Sequence, residues 1–128
     1  MVGLRQYPHF LYIYRAAQAQ QNENGSFEVR TQDSWELFSV CREEPNGKGA
    51  TIQVADSQAL VFAALVQLPA GLEQIPEGTK VAVTAFQVQP EMLRDEGWRA
   101  ESTRTGLLRI TGTVAKYDRG QLHNRCWL

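Results

Sequence analysis

Few side chains in this sequence could act as nucleophiles or general bases. The chain has two histidines, His9 and His123, and two cysteines, Cys41 and Cys126. Nucleophilic catalysis needs a Ser or Cys held next to a base, and residues three apart point to opposite faces of a strand, as His123 and Cys126 would. We therefore predict no catalytic residues. We expect both cysteines to be free thiols that are buried like small apolar residues.

Carboxylates and a glycine-rich turn are the next candidates for chemistry. Glu43 and Glu44 are adjacent in a segment rich in Pro and Gly, where acidic side chains normally face solvent, whereas general acid–base catalysis needs a desolvated carboxyl group. The turn Gly47-Lys48-Gly49 lacks the full pattern of a phosphate-binding loop, and the Cys and His residues lack the close paired spacings of zinc sites. We predict no metal and no cofactor. A small-molecule enzyme using Glu43, Glu44 and His123 is the weakest of three hypotheses.

Arginines recur along the last third of the chain. Arg94, Arg99, Arg104 and Arg109 surround Trp98, and basic and aromatic side chains together are typical of proteins that bind single-stranded nucleic acid. Three acidic residues lie between them and reduce the local positive charge. A mixed-charge surface that keeps the protein soluble is therefore an alternative interpretation. An OB-like module that binds single-stranded nucleic acid is the second hypothesis for function.

Length and composition indicate one globular domain over residues 1–128. The chain is 43% hydrophobic and 21% charged, and its formal net charge is −1, which gives no overall attraction to nucleic acid or to an anionic membrane. No apolar run approaches the ~20 residues that cross a bilayer, so we expect no membrane association. The first residues lack the apolar core of a signal peptide, which predicts that the protein stays in the compartment where it is made.

Segments with strand character follow one another along most of the chain. Asn24 and Gly25 form a strong hairpin signal between two arms, the first of which must override an Ala- and Gln-rich helix propensity. Trp35 opens an alternating strand and is expected to be substantially buried. The predicted strands cover residues 10–14, 15–21, 27–31, 35–41, 51–54, 60–68, 79–89, 106–117 and 121–128.

Four segments carry more detailed expectations. Residues 42–49 are predicted to form a charged loop, and the apolar run 60–68 a strand covered on both faces. The alternation in 79–89 changes phase after Ala85, which is typical of a β-bulge. Residues 90–97 allow a single helical turn, which Gly97 would stop, or a mobile loop.

Short turns and hairpin chemistry imply antiparallel neighbours. The sequence therefore predicts an all-β fold, a single antiparallel β-barrel with at most one short helical segment. A two-sheet β-sandwich is the structural alternative.

Three places in the chain resemble a known family. They are the strand at 10–14 with its Asn-Gly hairpin, the segment Ile75-Pro76-Glu77-Gly78-Thr79-Lys80-Val81, and the terminal hairpin over 112–128. The layout resembles the head–tail joining, or head-closure, proteins of tailed bacteriophages, in the divergent form of Bacteroidetes phages and prophages.

This resemblance implies a non-enzymatic connector subunit in a ring below the portal. Its partners would be other copies of itself and other virion or assembly proteins, with DNA contacted in the channel. The resemblance also implies that the protein is located in the cytoplasm of a bacterial host or in the virion. A subunit of a ring needs two different surfaces for head-to-tail contacts. The predicted interaction surface comprises Asn24, Gly25, Arg94, Trp98, Arg99 and Arg104.

Overall fold

A computed structural model of the protein describes residues 6–16, 19–21, 27–29, 33–54 and 59–128. These ranges contain eleven strands, a 3-10 helical turn at Pro90–Arg94 and one α-helix, α1, at Glu96–Thr105. The strands are β1 (His9–Arg15), β2 (Ala19–Gln21), β3 (Phe27–Val29), β4 (Ser34–Pro45), β5 (Thr51–Gln53), β6 (Ala59–Val61), β7 (Ala64–Pro69), β8 (Lys80–Thr84), β9 (Leu108–Thr113), β10 (Lys116–Arg119) and β11 (His123–Trp127).

Seven strands form one curled antiparallel sheet in the order β10-β11-β7-β4-β1-β8-β9. The long strand β4 pairs with β1 along most of its length and with β7 near its end, so it belongs to both halves of the curl. The two edge strands, β9 and β10, are separated only by Val114 and Ala115. The Val114 N–H donates to Thr79 O (3.0 Å), and the Ala115 N–H donates to Trp127 O (2.7 Å). The predicted all-β antiparallel fold is thus confirmed, and its main sheet is a half-barrel whose two edge strands the chain itself connects.

Apolar side chains form two clusters, one on each face of this sheet. The barrel core lies inside the curl and comprises Leu11, Ile13, Cys41, Val66, Leu68, Ile75, Val81, Val83, Val114, Tyr117, Cys126 and Leu128. The outer core lies on the other face and comprises Tyr12, Ala82, Leu93 and Leu108, with Phe10, Trp35, Val88 and Trp98 packed against it.

Burial on both faces explains why the central strands are apolar without a break. In β1, Leu11 and Ile13 enter the barrel core while Tyr12 enters the outer core, and β8 repeats this arrangement around Ala82. Successive side chains of a strand point to opposite faces, so a strand covered on both sides needs apolar residues at every position.

The bulge predicted within residues 79–89 lies on the neighbouring strand β9 instead. Strand β8 ends at Thr84, and Phe86 is 72% exposed, so the change of phase marks the end of the strand. The pairing of β8 with β9 shifts between Val83 and Thr84, and the extra residue is Arg109 in β9. A bulge re-aims the side chains next to it, which becomes important for the contacts of Arg109.

The helical segment is longer than predicted. Gly97 does not stop it, because α1 begins at Glu96 and continues to Thr105. The Asp95 side chain accepts a hydrogen bond from the Trp98 N–H (3.2 Å), and Gly106 ends the helix at a φ of 85°. An Asp cap and a left-handed glycine are strong start and stop signals, and they outweigh one glycine in the first turn.

Two hairpins form separate two-stranded sheets. Strand β2 pairs with β3, and Gln21 faces Phe27, which confirms the predicted hairpin arms; the Asn24-Gly25 tip lies outside the described residues. Strand β5 pairs with β6. The apolar run at 60–68 is therefore divided: it is interrupted after Val61 and resumes as β7. The prediction of one doubly covered strand was therefore wrong. Leu60 and Val61 are 42% and 62% exposed, and β7 is fully buried only at alternate positions.

Candidate functional site

A groove of about 500 Å³ opens between the sheet and the helical segment. Strands β1, β4, β8 and β9 form its floor, and the 3-10 turn and α1 form one wall. The residues that line it are Tyr14, Trp35, Lys80, Val81, Arg94, Arg99, Thr111, Gly112 and Thr113. Most of these side chains are aromatic or cationic, which makes the groove the main candidate site.

Two aromatic rings meet on the floor of the groove. Tyr14 and Trp35 face each other in the register of β1 and β4, and their rings form an edge-to-face pair with centroids 5.3 Å apart. The Tyr14 hydroxyl donates to the Asp33 carboxylate, and this hydrogen bond raises the pKa of Tyr14. Trp35 is substantially buried, as predicted: one part of it packs on the outer core while another lines the groove.

Three cationic side chains surround this aromatic pair. The Lys80 Nζ lies 5.3 Å from the centroid of the Tyr14 ring, a distance typical of a cation–π contact. The Arg99 Nη1 donates to Leu93 O (2.5 Å), which fixes the guanidinium against the 3-10 turn. Arg94 lines the same wall. The arrangement combines flat apolar surface with positive charge, which suits a ligand that carries both a ring and an anion.

The predicted interaction surface is brought together only in part. Arg94 and Arg99 line the groove, and Trp98 packs beside them against the outer core. Arg104 does not line it, and its exposed side chain pairs with Glu101 on α1. Asn24 and Gly25 lie outside the described residues.

Sequence reasoning missed the contributions of Tyr14, Trp35 and Lys80 to this groove. The signal that could have found Tyr14 and Trp35 is their place at facing ends of two paired strands. Nothing local in the sequence connects Lys80 to them.

A buried ion pair joins β4 to β9 on another part of the sheet. Residues 42–45 continue β4 and pair with β7, so the predicted charged loop was wrong at these positions. Glu43 is only 6% exposed, and the Arg109 Nε donates to its Oε1 (2.8 Å). Burial of a carboxylate is costly unless a partner compensates its charge. That partner is Arg109, which lies at the bulge in β9 and is 66 residues away in sequence.

His9 completes this polar cluster. Its Nδ1 accepts a hydrogen bond from the Glu43 backbone N–H (3.0 Å). Burial lowers the pKa of His9, and the nearby Arg109 charge lowers it further. The imidazole is therefore neutral at pH 7 and serves as an acceptor for the backbone of β4. A shallow pocket of about 350 Å³ opens beside Glu43 and Arg109.

The residues of the enzyme hypothesis do not converge. Glu43 faces Val66 of β7, whereas His123 lies opposite Pro69, three residues farther along β7. On β11, the side chain of His123 lies on the opposite face from that of Cys126. The Glu44 carboxylate accepts a hydrogen bond from Gln67 Nε2 (3.0 Å).

The two cysteines are free and buried, as predicted. Both lie in the barrel core. Burial raises the pKa of both thiols, that of Cys126 to about 12, so neither carries a thiolate at neutral pH.

Within the described ranges no group of three or more His, Cys, Asp or Glu side chains is arranged to hold a metal ion. No helix in this part of the chain has the length and apolarity required to span a membrane. No protein-family model, curated protein or solved structure matches the chain.

Proposed function

We propose that this protein is a non-enzymatic assembly subunit that acts through protein–protein contacts, as a head–tail connector of a tailed phage or prophage does. The observation that carries the proposal is the pair of hairpins, β2–β3 and β5–β6, that stand outside the seven-stranded sheet. An isolated two-stranded hairpin is marginally stable in water, so neighbouring molecules would supply the surface on which these hairpins pack.

The β5–β6 hairpin also presents apolar side chains to solvent. Leu60 and Val61 are well exposed, and the hairpin leads directly into the start of β7. Exposed strand edges and apolar clusters attract other chains unless a partner covers them. In an assembly, this hairpin would lie against an adjacent subunit.

A second exposed apolar side chain lies near the end of β7 that is farther from this hairpin. Leu122 is 83% exposed, and it immediately precedes His123, which faces Pro69 at the far end of β7. A ring requires two different contact surfaces on each subunit, so that one surface meets the other on the next copy. The hairpin and the Leu122 turn would supply these two surfaces. The net charge of −1 allows copies to pack side by side without strong repulsion.

The test is disruption of the gene in the phage or prophage that carries it. We expect filled heads and free tails that fail to join, and the genes on either side should encode portal, capsid and tail proteins. Complementation with Val61→Lys should fail, because a charge would enter the subunit contact. Complementation with Met92→Lys should succeed, since Met92 is also an exposed apolar residue but lies on the 3-10 turn, away from the hairpin. Normal tailed particles without the gene would contradict the proposal.

A further inference from the structure

We propose that the groove between the sheet and α1 binds single-stranded nucleic acid, with a base on its aromatic floor and the adjoining phosphates on its cationic side chains. This inference does not rest on the assembly role, which concerns the hairpins and the Leu122 turn. It rests on the side chains that line the groove.

The aromatic floor provides the surface for a base. Trp35 is half-buried and lines the groove, and its edge-to-face contact with Tyr14 fixes both rings. A ring held in place by its neighbours loses little freedom when a base stacks on it. Every base has a π-face, so this recognition would depend little on sequence.

The cationic wall provides for phosphate. Lys80 is exposed and is held over the Tyr14 ring, close to where a base would stack. A guanidinium has five N–H donors, and the hydrogen bond from Arg99 to Leu93 O uses one of them. Asp33 is engaged by the Tyr14 hydroxyl, which holds this carboxylate at the edge of the aromatic pair.

The size of the groove favours a single strand over a duplex. A volume of about 500 Å³ accommodates one or two nucleotides and is too small for a double helix. The bases of a duplex are also stacked on each other and could not reach Trp35. An acidic peptide would satisfy Lys80 and Arg99 but would leave the aromatic surface without a flat partner, so the observations favour a nucleotide strand.

The experiment measures binding of a fluorescein-labelled oligothymidylate of about 12 nucleotides by anisotropy at low salt. We expect saturable binding accompanied by quenching of tryptophan emission. A duplex of the same length, polyglutamate and thymidine monophosphate serve as competitors. The unlabelled single strand should compete best, and the mononucleotide should compete far more weakly because it offers a single phosphate.

Variants assign the binding to the groove. Trp35→Leu keeps an apolar side chain against the outer core but removes the stacking surface, and it should weaken binding about five- to a hundredfold. Lys80→Ala should weaken binding and reduce the slope of log K against log salt by about 0.7, the value for one phosphate of a single strand. Arg104→Ala is the control, since this arginine lies on α1, as Arg99 does, but outside the groove. The variant should bind like the wild type. Lys80 is an exposed surface residue, so its variant tests the proposal even if Trp35→Leu does not fold.

Several results would overturn the proposal. Absence of binding at low salt is one of them. Equal affinities of the wild type and Lys80→Ala would place the binding elsewhere. Equal competition by polyglutamate would assign the groove to acidic peptides, and equal competition by duplex or mononucleotide would exclude recognition of a single strand.

Discussion

Replacement of Arg109 by alanine tests the buried ion pair most directly. The variant leaves the Glu43 carboxylate, whose side chain is 4% exposed, without the guanidinium that compensates its charge. Breaking a fully buried pair costs about 3–5 kcal/mol, and breaking a surface pair costs at most about 1 kcal/mol. The Arg109 side chain is 33% exposed, so water would partly replace it, and we expect a loss of about 2 kcal/mol.

Urea unfolding followed by tryptophan fluorescence measures this loss. The midpoint should fall while the slope of free energy against urea stays unchanged, because the buried surface is nearly the same. In a thermal scan the same loss corresponds to a decrease of about 6–10 °C in Tm for a chain of this length. Arg104→Ala is the matched control: its pair with Glu101 joins two largely exposed side chains on α1, so the urea midpoint should stay close to the wild-type value.

A second background separates the charge interaction from packing. In Glu43→Gln, the neutral amide can still accept a hydrogen bond from Arg109, but no buried charge remains when the arginine is removed. Arg109→Ala should therefore cost only about 1 kcal/mol or less in that background. Equal costs in the two backgrounds would refute the assignment of a charge pair to these residues.

Three further predictions concern buried polar groups. The pKa of His9 is below its ordinary value of 6.5, so the unfolded chain takes up a proton first as the pH falls, and the protein should lose stability below about pH 6.5. In His9→Gln, the urea midpoints measured from pH 7 to 5 should decline less than in the wild type; an unchanged profile would argue against this role of His9. Tyr12→Phe should cost about 1–3 kcal/mol in urea unfolding, because the buried hydroxyl accepts from the Val88 N–H (2.8 Å) and donates to Val88 O (3.1 Å); wild-type stability would show these bonds to be dispensable. Cys41 and Cys126 should react with a thiol reagent only as the protein unfolds, since burial raises both pKa values; rapid labelling of the native protein would contradict their placement in the barrel core.

Local patterns in the sequence were sufficient for the fold class. The apolar run at 10–14 predicts a strand, and that segment lies within β1 because aromatic and β-branched residues suit a pleated strand covered on both faces. The Asn-Gly pair indicates a hairpin, and the flanking strands β2 and β3 do pair. In each case the decisive residues lie within a few positions of each other, so their spacing carries the information.

Helix limits and strand ends depended partly on contacts beyond the local pattern. The α1 segment contains glycine and several residues of weak helix propensity, which predicts little more than one turn. Its full length follows from the Asp95 cap, the left-handed Gly106 and the packing of Trp98 on the outer core. The cap and the stop are visible in the sequence, but the outer core that Trp98 covers is assembled from distant strands.

The candidate site was predictable only in its arginines. The sequence predicts Arg94 and Arg99 because they recur near a tryptophan. Tyr14, Trp35 and Lys80, in contrast, come from three different strands. The burial of Glu43 was likewise hidden, since an acidic residue next to Pro and Gly looks solvated until its partner is known. That partner lies 66 residues away, at a bulge in β9. Sequence spacing determines the period and the turns of each strand, while the pairing of distant strands decides which side chains share a groove and which charges can be buried.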